Sequence, residues 1–206
     1  QNGSEVKFEH MEQIEKAWKS VESSFGSLKS MAKKDGMKVS HAGETYMYAA
    51  KAIGIFVPGM MTIGVTAKLG EDQLGFTLGH EVAHYMDYSV GQTQGSRFAS
   101  NDYDSTAGQI AINFRKSMNK ESKSKYINST HECFARALEQ YNAIKTKGDA
   151  AIRAGKDTYS TSDSYMNVDE FKKDMFPLID KFLAENRHIL KSIMNDLIVH
   201  TAAVLK

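Results

Sequence analysis

LGHEVAHYMD, residues 78–87, decides how this chain is read. His80 and His84 stand four residues apart, with Glu81 directly after the first. Residues at that spacing lie one above the other on a helix. Upstream, Glu71 and Asp72 are acidic residues of the kind that suit a helix N-terminus. Leu74, Leu78, Val82, Ala83 and Met86 then recur at helical intervals, which predicts a helix of about four turns ending near Gly91. Leu78 and Met86 bury this helix on either side of the histidines, so the polar trio lies at the edge of a core.

Two imidazoles on one helix face can hold a single Zn²⁺. A carboxylate next to the first ligand can hold a water at the metal and take its proton, because zinc lowers the pKa of such a water to about 7. A chance meeting of two histidines and a glutamate on a solvated helix is the bland alternative. The small, apolar Val82 and Ala83 between the histidines argue against it.

Working outward, Met11, Ile14, Trp18, Val21, Phe25 and Leu28 alternate at spacings of three and four, the stripe of a long amphipathic helix. Lys33, Lys34 and Gly36 read as its end. From Ile53 to Val57 and from Met60 to Val65 the apolar runs flank Pro58-Gly59, which predicts a hairpin. Residues 92–125 are mostly polar and read as the most mobile part of the chain, with one short helix around Ile110 to Met118. After a further polar interval, Val168 to Phe182 and Ile189 to Ile198 predict two or three helices, with Pro177 in a first turn.

Catalytic zinc takes three protein ligands, so a third is required. Val90 occupies the position six after His84, where a metzincin would carry its third histidine. The search moves to INSTHECFARALEQY, residues 127–141, a second helix opened by the cap cluster Asn128-Ser129-Thr130. Its candidates are His131, Glu132, Cys133 and Glu139. Glu139 shares a helix face with Glu132, whereas His131 and Cys133 point about 100° away. Cys133 also reads as a small buried hydrophobe.

HEVAHYMD followed by HECFARALEQY resembles the gluzincin arrangement, in which HExxH is completed by a glutamate on a later helix. More closely, it resembles the metallopeptidase-like domain of large polyvalent phage and plasmid proteins, with HExxHxxD and ExFARAxE stretches, and more distantly anthrax lethal factor-type peptidases. The likeness covers residues 45–145. It implies an α+β, zincin-like fold: a small twisted sheet beside the HExxH helix and a glutamate-ligand helix, with flanking N- and C-terminal helices. It implies Glu132 as third ligand and Glu81 as general base of a zinc-dependent endopeptidase. Tyr126, six residues before Glu132, is a candidate oxyanion donor, although its offset differs slightly from the lethal factor pattern. Asp87 is expected to accept a ligand histidine's N–H or to pair with Arg136, and Arg136 to serve as a structural ion-pair partner. The strand Met61–Val65, just before the HExxH helix, is where zincins keep an edge strand for extended substrates, while its apolar content equally suits an interior strand. The alternative from a different class is a non-catalytic zinc-binding or protein-binding module of a larger phage or plasmid protein.

With 206 residues, 41% of them hydrophobic, the chain is long enough for one domain with a substantial core. The expected division is an N-terminal helix over 1–36, a metal-binding core over 45–145 and C-terminal helices over 165–206. Lys and Arg (26) balance Asp and Glu (25), so no net field draws the chain to nucleic acid or an anionic membrane. The lysines of 116–125 are interspersed with serines and a glutamate and read as a solvated loop. No apolar run reaches membrane-spanning length, the polar start QNGSEVKFEH does not read as a signal peptide, and the lone Cys133 rules out an internal disulfide. The expected partner is a peptide or protein substrate. The expected setting is the cytoplasm or delivery with a phage or mobile element, with export a further route.

Overall fold

A computed structural model of the chain describes residues 8–25, 38–41, 54–58, 62–65, 71–118, 125–147 and 165–190. Its elements are α1 (Phe8–Phe25), β1 (Lys38–His41), β2 (Gly54–Val57), β3 (Thr62–Val65), α2 (Glu71–Thr93), a 3₁₀ turn (Ala99–Asn101), α3 (Thr106–Ser117), α4 (Thr130–Lys147), α5 (Val168–Asp174) and α6 (Phe176–Glu185). The described residues are mostly helical with one small sheet, which fits the α+β class.

Helix α2 is the centre of the packing. It lies against α4 over a long interface and against α1, β2 and β3 on its other sides. Leu78, Val82, Ala83 and Met86 are fully buried, as the helical spacing requires. The helix runs for 23 residues and ends at Thr93, two residues past the expected end near Gly91, with Val90 buried on the same stripe. The Thr93 hydroxyl, bonded back to the Val90 carbonyl at 2.7 Å, lies in its last turn.

In α4, Phe134, Ala137, Leu138 and Tyr141 are the buried face. Phe134 meets Phe182 of α6 edge to face at 5.1 Å, and burying each such ring contributes roughly 1.5–3 kcal/mol. Trp18 and Val21 bury α1, while the expected continuation of this helix to Lys34 and Gly36 lies outside the described residues. So do the expected helices beyond Leu190.

The hairpin forms as expected, with Val57 opposite Thr62 and Gly54 opposite Val65. The sheet also holds a strand that periodicity did not reveal: β1 pairs parallel with β3, giving the order β1-β3-β2. Strand β3 is therefore interior. Of the two readings of Met61–Val65, edge or interior, the interior one holds, because pairing with β1 and β2 uses both sides of Thr62–Val65.

Residues 92–118 are also more ordered than their polar composition led us to expect. Helix α3 starts four residues before Ile110, at Thr106, with the Ser105 hydroxyl accepting from the Gly108 N–H at 3.0 Å. Ala107, Ile110, Ala111 and Phe114 form a buried stripe packed toward α4. Near the C-terminus, Asn167 caps α5 and Pro177 occupies the first turn of α6.

Candidate metal centre

His80 and His84 project from one face of α2, and α4 crosses that face closely enough to bring Glu132 to both. Gly79 permits the approach: a Cβ there would come within 2.9 Å of the Asn142 Nδ2 of α4. The two Nε2 atoms face each other at 3.1 Å. Glu132 Oε1 is 3.5 Å from His80 Nε2, and Glu132 Oε2 is 3.4 Å from His84 Nε2. Zn–N and Zn–O bonds of about 2.0–2.1 Å in a tetrahedron separate neighbouring ligand atoms by about 3.3 Å. The three observed separations lie near that value, with Glu132 turning one oxygen toward each histidine.

Hydrogen bonding supports the same fit. Glu132 is 1% exposed, and its Oε2 accepts no hydrogen bond, whereas Oε1 accepts from Arg136 Nε at 3.0 Å. A buried, unpartnered carboxylate oxygen facing an imidazole nitrogen is costly without a cation to meet it. His80 Nδ1 lies 2.9 Å from Glu139 Oε2, so that nitrogen carries the proton and donates it, leaving Nε2 for coordination. Among the described residues, His80, His84 and Glu132 form the cluster able to hold a metal ion.

Charges are arranged accordingly. Burial opposes protonation of His80, yet the Glu132 and Glu139 carboxylates hold its pKa well above the usual histidine value. Burial and the neighbouring His80 hold His84 down at about 4, although Glu132 pulls the other way. Burial works against Glu132 ionising, but His80 and His84 keep it far below the usual carboxylate range. A dication at the three ligand atoms would take the place of the His80 proton.

Glu81 is 6% exposed, and burial pushes its carboxyl up to about 7 against the pull of His80. Strand β2 closes over it. The Phe56 backbone N–H donates to the Glu81 carboxylate, and a Cβ at Gly54 would come within 2.4 Å of Thr77 Cγ2 and 2.8 Å of Glu81 Oε1. The strand that meets the site is thus β2, which lies at the sheet's margin.

Tyr126, in the turn before α4, is 62% exposed as a residue. Partial burial of its hydroxyl, then the negative charge of Glu132, hold its phenol above the ordinary tyrosine value. It therefore belongs to the rim of the site. His131 stacks on Phe98 at 5.1 Å and takes no part in the ligand cluster. Cys133 is fully buried, with its thiol donating to the Ile127 carbonyl and pushed up to about 11 by burial.

Asp87 departs from expectation. Its carboxylate accepts from the Ser100 N–H at 2.8 Å and the Ser100 hydroxyl at 2.6 Å, so it ties α2 to the 3₁₀ turn and not to a histidine or Arg136. Seven residues beyond His80 and three beyond His84, it keeps roughly their side of α2 but lies far enough along the helix to meet Ser100 instead. Arg136 instead pairs with Glu132, and the histidine-orienting carboxylate is Glu139. Glu139 entered the sequence reading only as a rival ligand; its place on the Glu132 face, two turns on, was the available signal. Compared with known proteins, the chain matches no family model, no curated protein and no solved structure, so the reading of this centre rests on its own residues.

Proposed function

We propose that the chain is a zinc-dependent peptidase of the gluzincin type, with a zincin-like arrangement of α2, α4 and the small sheet. The observation that carries the reading is the convergence of His80 Nε2, His84 Nε2 and the Glu132 carboxylate, whose Oε2 is unsatisfied, beside a buried Glu81. Two imidazoles and one carboxylate are a donor set of the catalytic kind, which leaves a coordination position open. Zinc, when bound, supplies Lewis-acid polarisation of a carbonyl.

The chain's own groups supply the rest. The Glu81 carboxylate takes a proton from the attacking water and returns it to the leaving amine nitrogen. Its hydrogen bond from Phe56 and the wall formed by Gly54 and Thr77 restrict it to one orientation. Arg136 steadies the Glu132 carboxylate through Oε1. The Tyr126 phenol, at the rim beside Glu132, donates to the developing oxyanion. The proposed substrate is a peptide or protein.

The test is cleavage of an unbiased peptide library by the wild type and by Glu81→Gln, with bound zinc quantified in both. The variant should retain its zinc and lose about 10²–10⁴-fold in turnover. Cleavage at the wild-type rate would sink the mechanism and leave a metal-binding module.

A further inference from the structure

Two buried residues outside the ligand set join the metal centre to the segment that leads into the C-terminal helices. Glu139 and Tyr165 are 2% and 8% exposed. The Tyr165 hydroxyl donates to Glu139 Oε1 at 2.6 Å, and Glu139 Oε2 accepts from His80 Nδ1 at 2.9 Å. One residue along α4, the Gln140 side chain grips the backbone of Met166: its Nε2 donates to the Met166 carbonyl at 2.8 Å, and its Oε1 accepts from the Met166 N–H at 3.2 Å. Residues 165 and 166 are thereby fastened to α4 at the level of His80.

We infer that Tyr165 is a positioning residue for the metal centre, and that docking of the 165–190 segment is coupled to metal occupancy. The inference rests on His80, His84 and Glu132 being metal ligands. An imidazole presents its Nε2 lone pair only while Nδ1 carries the proton, and that tautomer is held by the carboxylate it faces. Glu139 can hold it only in the rotamer that the Tyr165 hydroxyl secures from the far side. The coupling is reciprocal: whatever factor the docked segment contributes to metal affinity, metal returns to docking. Residues 165–190 contain α5 and α6, so the centre reports on the packing of the chain's C-terminal part.

The test measures Zn²⁺ affinity by competition with a chromophoric chelator, and the visible spectrum of the Co²⁺-loaded protein, for wild type, Tyr165→Phe and Glu139→Gln. It adds amide hydrogen exchange at Met166 in the wild type with and without Zn²⁺. Tyr165→Phe keeps the buried ring and should weaken Zn²⁺ binding about tenfold, with Glu139→Gln costing about 10–100-fold. Both should shift the Co²⁺ bands, and Zn²⁺ should slow exchange at Met166. Unchanged affinity and spectrum in Tyr165→Phe, even with lower metal-free stability, would mark Tyr165 as a packing residue and overturn the inference. If neither variant folds, Met166 exchange indifferent to Zn²⁺ overturns it in the wild type. A wild type that binds neither ion overturns the ligand assignment itself, and the inference with it.

Discussion

Asp87 and Glu132 are both carboxylates buried against α2, at 0% and 1% exposure, and they differ in what meets them. Asp87 receives the N–H and the hydroxyl of Ser100 within 2.8 Å, so both its oxygens are satisfied by the protein. Glu132 has one oxygen on Arg136 and the other facing His84 without a hydrogen bond. A satisfied buried carboxylate belongs to the framework, whereas one left open between imidazoles is a place for a cation. About one turn apart along α2, the two carboxylates thus separate structure from chemistry by hydrogen-bond satisfaction alone.

The largest effect should come from the open carboxylate. Wild type at Zn²⁺ a hundredfold above its Kd should gain about 2.7 kcal/mol of stability, visible as a rise in thermal midpoint. Glu132→Gln should show none of that rise; a shift equal to the wild type's would erase the distinction between the two carboxylates. Next is Gly54→Ala, whose methyl would overlap Thr77 and Glu81. It should cost about 1–3 kcal/mol in metal-free stability and lower cleavage more than zinc affinity, as Glu81 is displaced while the ligands are not. Equal losses of cleavage and affinity would speak against β2 as the strand that orients Glu81.

At the satisfied carboxylate, Asp87→Ala should cost about 1–3 kcal/mol by denaturant unfolding, since it leaves the buried Ser100 N–H without an acceptor, and zinc affinity should not move. A loss of zinc affinity would return Asp87 to the metal centre. Asp87→Asn keeps an acceptor for the Ser100 N–H and offers an amide donor to its hydroxyl, so it should be tolerated. The smallest effect concerns pH. Burial pushes the Asp87 carboxyl up to about 7, against the donors of Ser100 and Ala99. The fold therefore favours the protonated acid more than the unfolded chain does. Its contribution to stability is full below the ordinary carboxylate pKa of about 3.9 and declines as pH rises toward 7. That slope should vanish in Asp87→Asn, measured as unfolding free energy across the window; an unaltered slope would assign it to another group.

Local periodicity made much of the fold readable. The stripe Leu78, Val82, Met86 specified α2, the Pro58-Gly59 turn specified the β2–β3 hairpin, and Phe134, Leu138 and Tyr141 specified α4. Strand β1 was not readable, because KVSH is four residues long and its pairing with β3 is made across twenty intervening residues that carry no local record of it. Helix α3 was only half readable, since its stripe of Ala107, Ile110, Ala111 and Phe114 lies in a polar stretch and rests on two alanines. Asp87 misled for another reason. Spacing shows which residues could share a helix face, but not which neighbour a carboxylate will find there.

By itself the sequence determined the site-bearing helices, the β2–β3 hairpin and the donor types: two histidines one turn apart with a glutamate between them, and a second helix rich in candidate ligands. Helical geometry is local, so four-residue spacing was enough to align His80 with His84. Which residue on the second helix joins them, which carboxylate holds the His80 proton, and which strand covers Glu81 were decided only when α2 and α4 packed at Gly79 and β2 crossed at Gly54. Those choices depend on the angle and depth of packing between elements distant in sequence, and no spacing along the chain encodes them.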